Sequence, residues 1–332
     1  MWDDHDIRDG WGSSAGDSAT LAARYPLGAP IHAKHRAWFE DARDVYFHFQ
    51  ACRNPDGARV LHGAGPYTVR CGRLLLIALD ESAERDFARP ADPVLGTEQW
   101  HWLTKVIDTL DDDVDAIALA NGIPVVDLHA ESKTHRLFRD RDDDIKPFAR
   151  GDEEALERVR TRVSSKLLSA ICLLLAKTVD PGFRAGRLLG IGSAEMDDGR
   201  DRWSFPTNRR EQERLLNLMA SATLKQRGTP NQRPLVYLAG DIHVGALFEV
   251  RYSQPALTAQ CVVTSGISQT QLSLPEVEAG VLDRRFEVFP GIEAERQELV
   301  TEENFAITRV EFAESGASIS NTFGRAGKGK AP

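Results

Sequence analysis

The amino-acid sequence predicts an α/β fold: a mixed β-sheet, or two packed sheets, with helices outside. Strand-like and helical patterns alternate through the earlier part of the chain, and strand-like runs crowd its end. With 332 residues and a hydrophobic content of 42%, the chain can also bury a substantial core, as one large domain or two.

In IHAKHRAWFEDARDVYFHFQACRNP, residues Trp38, Ala42, Val45, Tyr46 and Phe49 recur at helical spacing. Pro30 precedes this helix and Asn54-Pro55 stops it. RLLLIALD (73–80) is a continuous apolar run too short for a buried helix, so it reads as a core strand. GTEQWHWLTKVIDTL places Trp100, Leu103, Val106, Ile107 and Leu110 on one helical face. DAIALANGIPVV reads as a strand ending in a Gly-Ile-Pro loop rather than a hairpin turning at Asn121-Gly122, because Pro124 would damage a following central strand.

The charged stretch HRLFRDRDDDIKPFARGDEE reads as an exposed loop leading to a long helix with a stripe of Leu156, Val159, Val163, Leu167, Ile171 and Leu174. A further helix spans about 209–226. Five strand-like runs follow it: PLVYLAGD, GALFEVRY, TAQCVVTSG, NFAITRVEF and ASISNTF. The end, GRAGKGKAP, reads as a frayed basic tail.

The formal net charge is −9. This argues against nucleic acid as a partner, since such binders carry basic faces. An anionic substrate would need a local metal or arginine. Cys52, Cys71, Cys172 and Cys261 lack metal-finger or redox spacing and read as buried small apolar residues. No apolar run is long enough to span a membrane. No signal peptide is visible, which leaves the compartment open.

Two motifs concentrate chemistry. The chain opens MWDDHDIRDGWGS, with Asp3, Asp4, His5 and Asp6 between two tryptophans. Later, PLVYLAGDIHVG carries a buried strand into Gly240, Asp241, Ile242 and His243. Alternate residues at a strand end point the same way, so Asp241 and His243 can converge, and carboxylate with imidazole is a usual metal pair. The plainer reading of the first motif is a charged tail, although disordered tails are poor in aromatics. The plainer reading of the second is a turn with an Asp cap. The acid-rich runs DDDVD, RDRDDDIK and EMDDGRD read as solvated faces or loops. His32, His35, His48 and His101 ride helices and read as surface or satisfied polar groups. His129 and Asp80 follow core strands and are weaker candidates to line a site.

MWDDHDIRDGWGS resembles the WDDH block of the alkaline phosphatase D (PhoD-like) family of metallophosphoesterases. The resemblance continues in order through CGRLLLIALDESAERD, LGTEQWHWL, MDDGRDRWSFPTNRREQERLL, YLAGDIHVGAL and VVTSGISQ. Glu81 and Ser82 stand where that family often has Arg. The resemblance implies two packed mixed sheets flanked by helices in a four-layer α/β/β/α arrangement. The family's earlier ligand block lies upstream of WDDH, so it also implies a chain incomplete at its N-terminus. The catalytic domain would then cover 1–324 and a flexible tail 325–332.

Carried over by position, the resemblance implies Asp4, Asp241 and His243 as metal ligands, with calcium and iron the metals. His5 would be the general acid, Asp6 its orienting carboxylate and Arg8 a phosphate clamp. The implied activity is metal-dependent hydrolysis of phosphate mono- or diesters, by attack of a metal-bound hydroxide with proton donation from His5. The substrate would be a small-molecule or lipid-like phosphate ester. The alternative is a truncated or degenerate member without catalysis that binds a cation or a partner.

Overall fold

The computed structural model describes residues 30–55, 65–85, 91–127, 202–205, 207–224, 232–242, 244–264, 284–300 and 302–325. Its elements in chain order begin with α1 (Pro30–Phe49), a 3-10 turn (Ala51–Arg53), β1 (Tyr67–Cys71), β2 (Leu74–Ala78), α2 (Gly96–Asp108) and β3 (Ala116–Ala120). They continue with α3 (Arg209–Ala222), β4 (Leu235–Ala239), β5 (Gly245–Ser253), β6 (Ala256–Val263), β7 (Arg285–Phe289), β8 (Ile292–Val300), β9 (Asn304–Ala313) and β10 (Gly316–Arg325).

Eight strands form one sheet in the order β1-β2-β3-β4-β6-β5-β8-β7. Its centre, β2, β3, β4 and β6, is parallel. The flanking pairs are antiparallel. The fold is thus the expected mixed α/β, and its second sheet is the two-stranded hairpin β9–β10.

The central strands are apolar on both faces because both faces are covered. On one face Leu75, Ile77, Ile117, Leu119, Leu235 and Tyr237 meet Trp100 and Leu103 of α2 and Leu215, Leu216 and Met219 of α3. On the other, Ala118, Val236 and Val262 meet Ala306, Ile319 and Phe323 of the hairpin. Among the described residues the layers are therefore helices, large sheet and hairpin. On the hairpin's outer side the Phe305 ring lies over Gly324, too close for any side chain there. No helix among the described residues is long and apolar enough to cross a membrane.

Several sequence expectations change. In α1 the stripe is rotated: Tyr46 is buried beside Phe39, Ala42 and Phe47, whereas Val45 and Phe49 are exposed. Among the described residues, Ala51 and Ala83 complete the small cluster that this helix joins. Cys52 and Cys71 are exposed, so burial holds only for Cys261 among the described cysteines. The expected helix at 156–174 lies outside the described residues.

Strands β1, β7 and β8 were not legible as strands. In β8, IEAERQELV, buried Ile292 and Ala294 alternate with charged residues. Its acids pair across the sheet, Glu295 with Arg251 at 2.9 Å and Glu293 with Arg285 at 3.1 Å.

Arg233 joins three segments at the end of the sheet opposite the strand tips. Its side chain is 2% exposed. It donates to the carbonyls of Val114, Ala222, Leu224 and Asp111. An ammonium cannot reproduce that planar fork. Arg233→Lys is expected to lose roughly 2 kcal/mol of stability in urea denaturation, as buried carbonyls lose their donors.

Candidate functional site

Because β2, β3, β4 and β6 run parallel, their carboxyl ends share one edge of the sheet, where open α/β sheets place sites. The ladder continues past the formal strand ends. Leu79 N–H donates to Ala120 O (2.9 Å), Asn121 N–H to Leu238 O (2.9 Å), Gly240 N–H to Gly122 O (3.0 Å) and Thr264 N–H to Ala239 O (2.9 Å). These bonds hold the segments around residues 80, 121, 241 and 264 side by side.

Asp241 leaves the end of β4 in a strained conformation. Its φ is 69°, and Ile242 N–H donates back across it to Gly240 O at 2.9 Å. This is a γ-turn of the rarer hand. Asp tolerates positive φ better than most residues, but such a backbone costs on the order of 1–3 kcal/mol and persists only where its surroundings hold it. Here Gly240 is bonded to β3 through Gly122, and Val244 is fully buried beyond the turn. Strand β5 then returns antiparallel to β6, with Ala246 opposite Val263.

At the end of β2, Asp80 Oδ1 accepts the N–H groups of Ser82 (3.0 Å) and Ala83 (2.9 Å). Its main chain is gripped by Gln99 of α2, whose Oε1 accepts from Asp80 N–H at 2.8 Å and whose Nε2 donates to Asp80 O at 2.6 Å. The next residue, Glu81, is 2% exposed. Its carboxylate accepts from Trp203 Nε1 (2.7 Å), Ile123 N–H (2.8 Å) and Asn121 Nδ2 (3.3 Å). Burial outweighs these donors and pushes its pKa up to about 7. Asp127, fully buried, is held by Arg202 and by Ser204 Oγ. These contacts tie the stretch after β3 to the stretch before α3.

Of the residues that the sequence singled out, Asp241 and the weaker candidate Asp80 lie at this edge. Asp4, His5, Asp6, Arg8, His129 and His243 lie outside the described residues. His48 and His101 are exposed on their helices, as expected. Among the described residues no group of three or more His, Cys, Asp or Glu is placed to hold a metal ion. Sequence reasoning assigned no role to Glu81, Gln99, Asn121 or Trp203. Glu81, Gln99 and Trp203 fall inside the motif blocks, and that is their one signal. In the sequence Asn121 reads only as a turn former.

No protein-family model and no curated protein matches this sequence. Among solved structures, one described as "Structure of PhoD" is similar, with a TM-score of 0.48 and 13% identity. The match covers 98% of this chain and 52% of that one, so this chain spans about half the length of that structure.

Proposed function

We propose that this chain is a metal-dependent hydrolase of phosphate mono- or diesters, of the alkaline phosphatase D (PhoD-like) type. The observation that carries the reading is the strained turn at Asp241. It stands at the carboxyl end of a central parallel strand, inside the Ala-Gly-Asp-Ile-His motif. Backbone strain of this kind concentrates at functional sites.

In this reading Asp4, Asp241 and His243 hold a metal ion, calcium or iron. The donors are chemically suited to it, since two carboxylates and an imidazole serve hard and borderline cations. When bound, such an ion offsets the negative phosphate oxygens and acidifies water. The remaining work falls to side chains. Arg8 grips two phosphate oxygens with its planar fork. His5 gives a proton to the leaving alkoxide oxygen, and Asp6 accepts the other ring N–H and so fixes the imidazole tautomer. The substrate is a small-molecule or lipid-like phosphate ester.

The test compares wild type, Asp241→Ala and His5→Ala for metal per chain and for kcat on a nitrophenyl and an alkyl phosphate ester. Asp241→Ala is expected to lose metal and activity together. His5→Ala is expected to keep its metal and to lose roughly 10²–10⁴-fold in kcat on the alkyl ester. It should lose far less on the nitrophenyl ester, whose leaving oxygen needs no proton. Equal losses on both esters would make His5 a ligand or a structural residue. A wild type that binds calcium or iron yet hydrolyses neither ester would instead support a non-catalytic cation-binding protein.

A further inference from the structure

A turn with positive φ at Asp241 persists only while its surroundings hold it. On the β3 side it is held at its base, where Gly240 N–H donates to Gly122 O at 3.0 Å. The fit there is close: a Cβ added at Gly240 would lie 3.3 Å from Thr264 O and 3.9 Å from Gly122 O. Any shift of the Gly122 carbonyl therefore reaches the residue next to Asp241. Gly122 itself stands beyond the end of β3, which closes at Ala120, so its carbonyl needs a support of its own.

One buried carboxylate grips both residues that flank Gly122. Glu81 Oε2 accepts from Ile123 N–H at 2.8 Å, and Oε1 accepts from Asn121 Nδ2 at 3.3 Å. Trp203 Nε1, donating to Oε1 at 2.7 Å, holds the carboxylate in place. The Asn121 main chain is bonded to β4 in turn, its N–H donating to Leu238 O at 2.9 Å. Glu81 follows Asp80, whose main-chain N–H and carbonyl are both held by Gln99. An apolar side chain would fill this space without burying an acid. Only a group with two acceptor oxygens holds donors from both sides of Gly122 at once.

We propose that Glu81 is a positioning residue for Asp241: by gripping Asn121 and Ile123 it fixes the Gly122 carbonyl, and through Gly240 it fixes the strained turn that carries the Asp241 carboxylate. The proposal rests on the reading of Asp241 as a metal ligand and deepens it. A ligand is only as well placed as the groups that hold it, and loss of such a support typically weakens a metal site. The path from Glu81 to Asp241 runs through two backbone groups, Ile123 N–H with the adjoining Gly122 carbonyl and then Gly240 N–H.

The experiment follows amide hydrogen exchange by NMR in the full chain, free of metal, at one pH and temperature. The Gly240 amide reads the bond to Gly122. The Ile117 amide, bonded to Pro234 O at 3.0 Å at the other end of the β3–β4 pair, is the internal reference. Wild type is expected to protect both. Glu81→Met, or Glu81→Ala should the methionine not fold, should speed exchange at Gly240 roughly tenfold more than at Ile117. Glu81→Gln should keep Gly240 protected. Its amide oxygen can accept from Ile123 N–H, and its NH₂ can donate to Asn121 Oδ1, which is buried and accepts nothing, after a half-turn of that amide. Calcium titration should then show roughly 10–100-fold weaker binding in Glu81→Met or Glu81→Ala and near-wild-type binding in Glu81→Gln.

Fast exchange at Gly240 in wild type overturns the proposal. So does equal acceleration at Gly240 and Ile117, which would make Glu81 a support of the whole sheet and nothing more. A released Gly240 with unchanged calcium affinity overturns it as well. Selective release of Gly240 in a chain that binds neither calcium nor iron leaves the hold of Glu81 on the turn standing and removes the metal-ligand reading of Asp241. Calcium binding that Asp241→Ala abolishes and Glu81→Met leaves untouched does the reverse.

Discussion

Glu211→Ala is expected to cost roughly 4 kcal/mol of stability, a large share of the 5–15 kcal/mol that holds a typical domain folded. Glu211 stands in the first turn of α3 and reaches the start of α2. That start has no cap of its own, because Leu95 at the cap position has no polar side chain. The Glu211 carboxylate does the capping instead. Oε2 accepts from Val94 N–H at 2.7 Å, and Oε1 accepts from Leu95 N–H at 2.9 Å and from Trp100 Nε1 at 2.7 Å.

Trp100 is fully buried and also carries the Arg214 guanidinium over its ring at 3.9 Å. Alanine at 211 leaves three buried donors without an acceptor, each at about 1–3 kcal/mol. Part of that loss is offset because burial already raises the Glu211 pKa, so the anion itself is under strain. Glu211→Gln should fall between the two, since its one oxygen can still serve Leu95 and Trp100. Urea denaturation measures the differences, and hydrogen exchange should show the Val94 and Leu95 amides losing protection. A change below about 1 kcal/mol would mean that α2 is capped by something else.

A pH dependence with the opposite sign to the usual carboxylate is expected from Glu81. Its folded pKa is raised to about 7, against an ordinary value of 4.5. Between those values the folded state keeps a proton that the unfolded state releases. Stability from this group is therefore fully present below about pH 4.5 and is lost as pH rises to about 7, by roughly 3 kcal/mol. The neighbours fit a protonated form. Asn121 Oδ1 is buried and accepts nothing while Nδ2 faces Glu81 at 3.3 Å. A half-turn of that amide would present an acceptor to a Glu81 hydroxyl. Glu81→Gln, a neutral counterpart of the protonated carboxyl, should lack the slope. The stability of wild type minus that of Glu81→Gln, followed from pH 4 to 8, isolates the effect. A flat difference across that range would show that Glu81 stays ionised.

The sequence by itself determined the elements whose information is local. The helical stripe of Trp100 and Leu103, and the short apolar runs that became β2, β3 and β4, carry their burial in their own spacing, because strands covered on both faces need no polar side. The reading of Asn121-Gly122-Ile123-Pro124 as a loop after a strand also held, since proline excludes the alternative. It was equally local that Asp241 ends a strand.

Only the tertiary structure decided which strand neighbours which. The order β4-β6-β5-β8 and the charged strand β8 depend on partners such as Arg251, which lies 44 residues from Glu295 in the chain. It alone decided that Glu211 caps a helix more than a hundred residues earlier and that Glu81 holds Trp203 and Ile123 together. It alone set the oxygen of Asn304 against Gly245. Burial of a polar group is a property of everything packed around it. No window of neighbouring residues contains that surrounding, so a glutamate or an asparagine in sequence looks like surface until the fold encloses it.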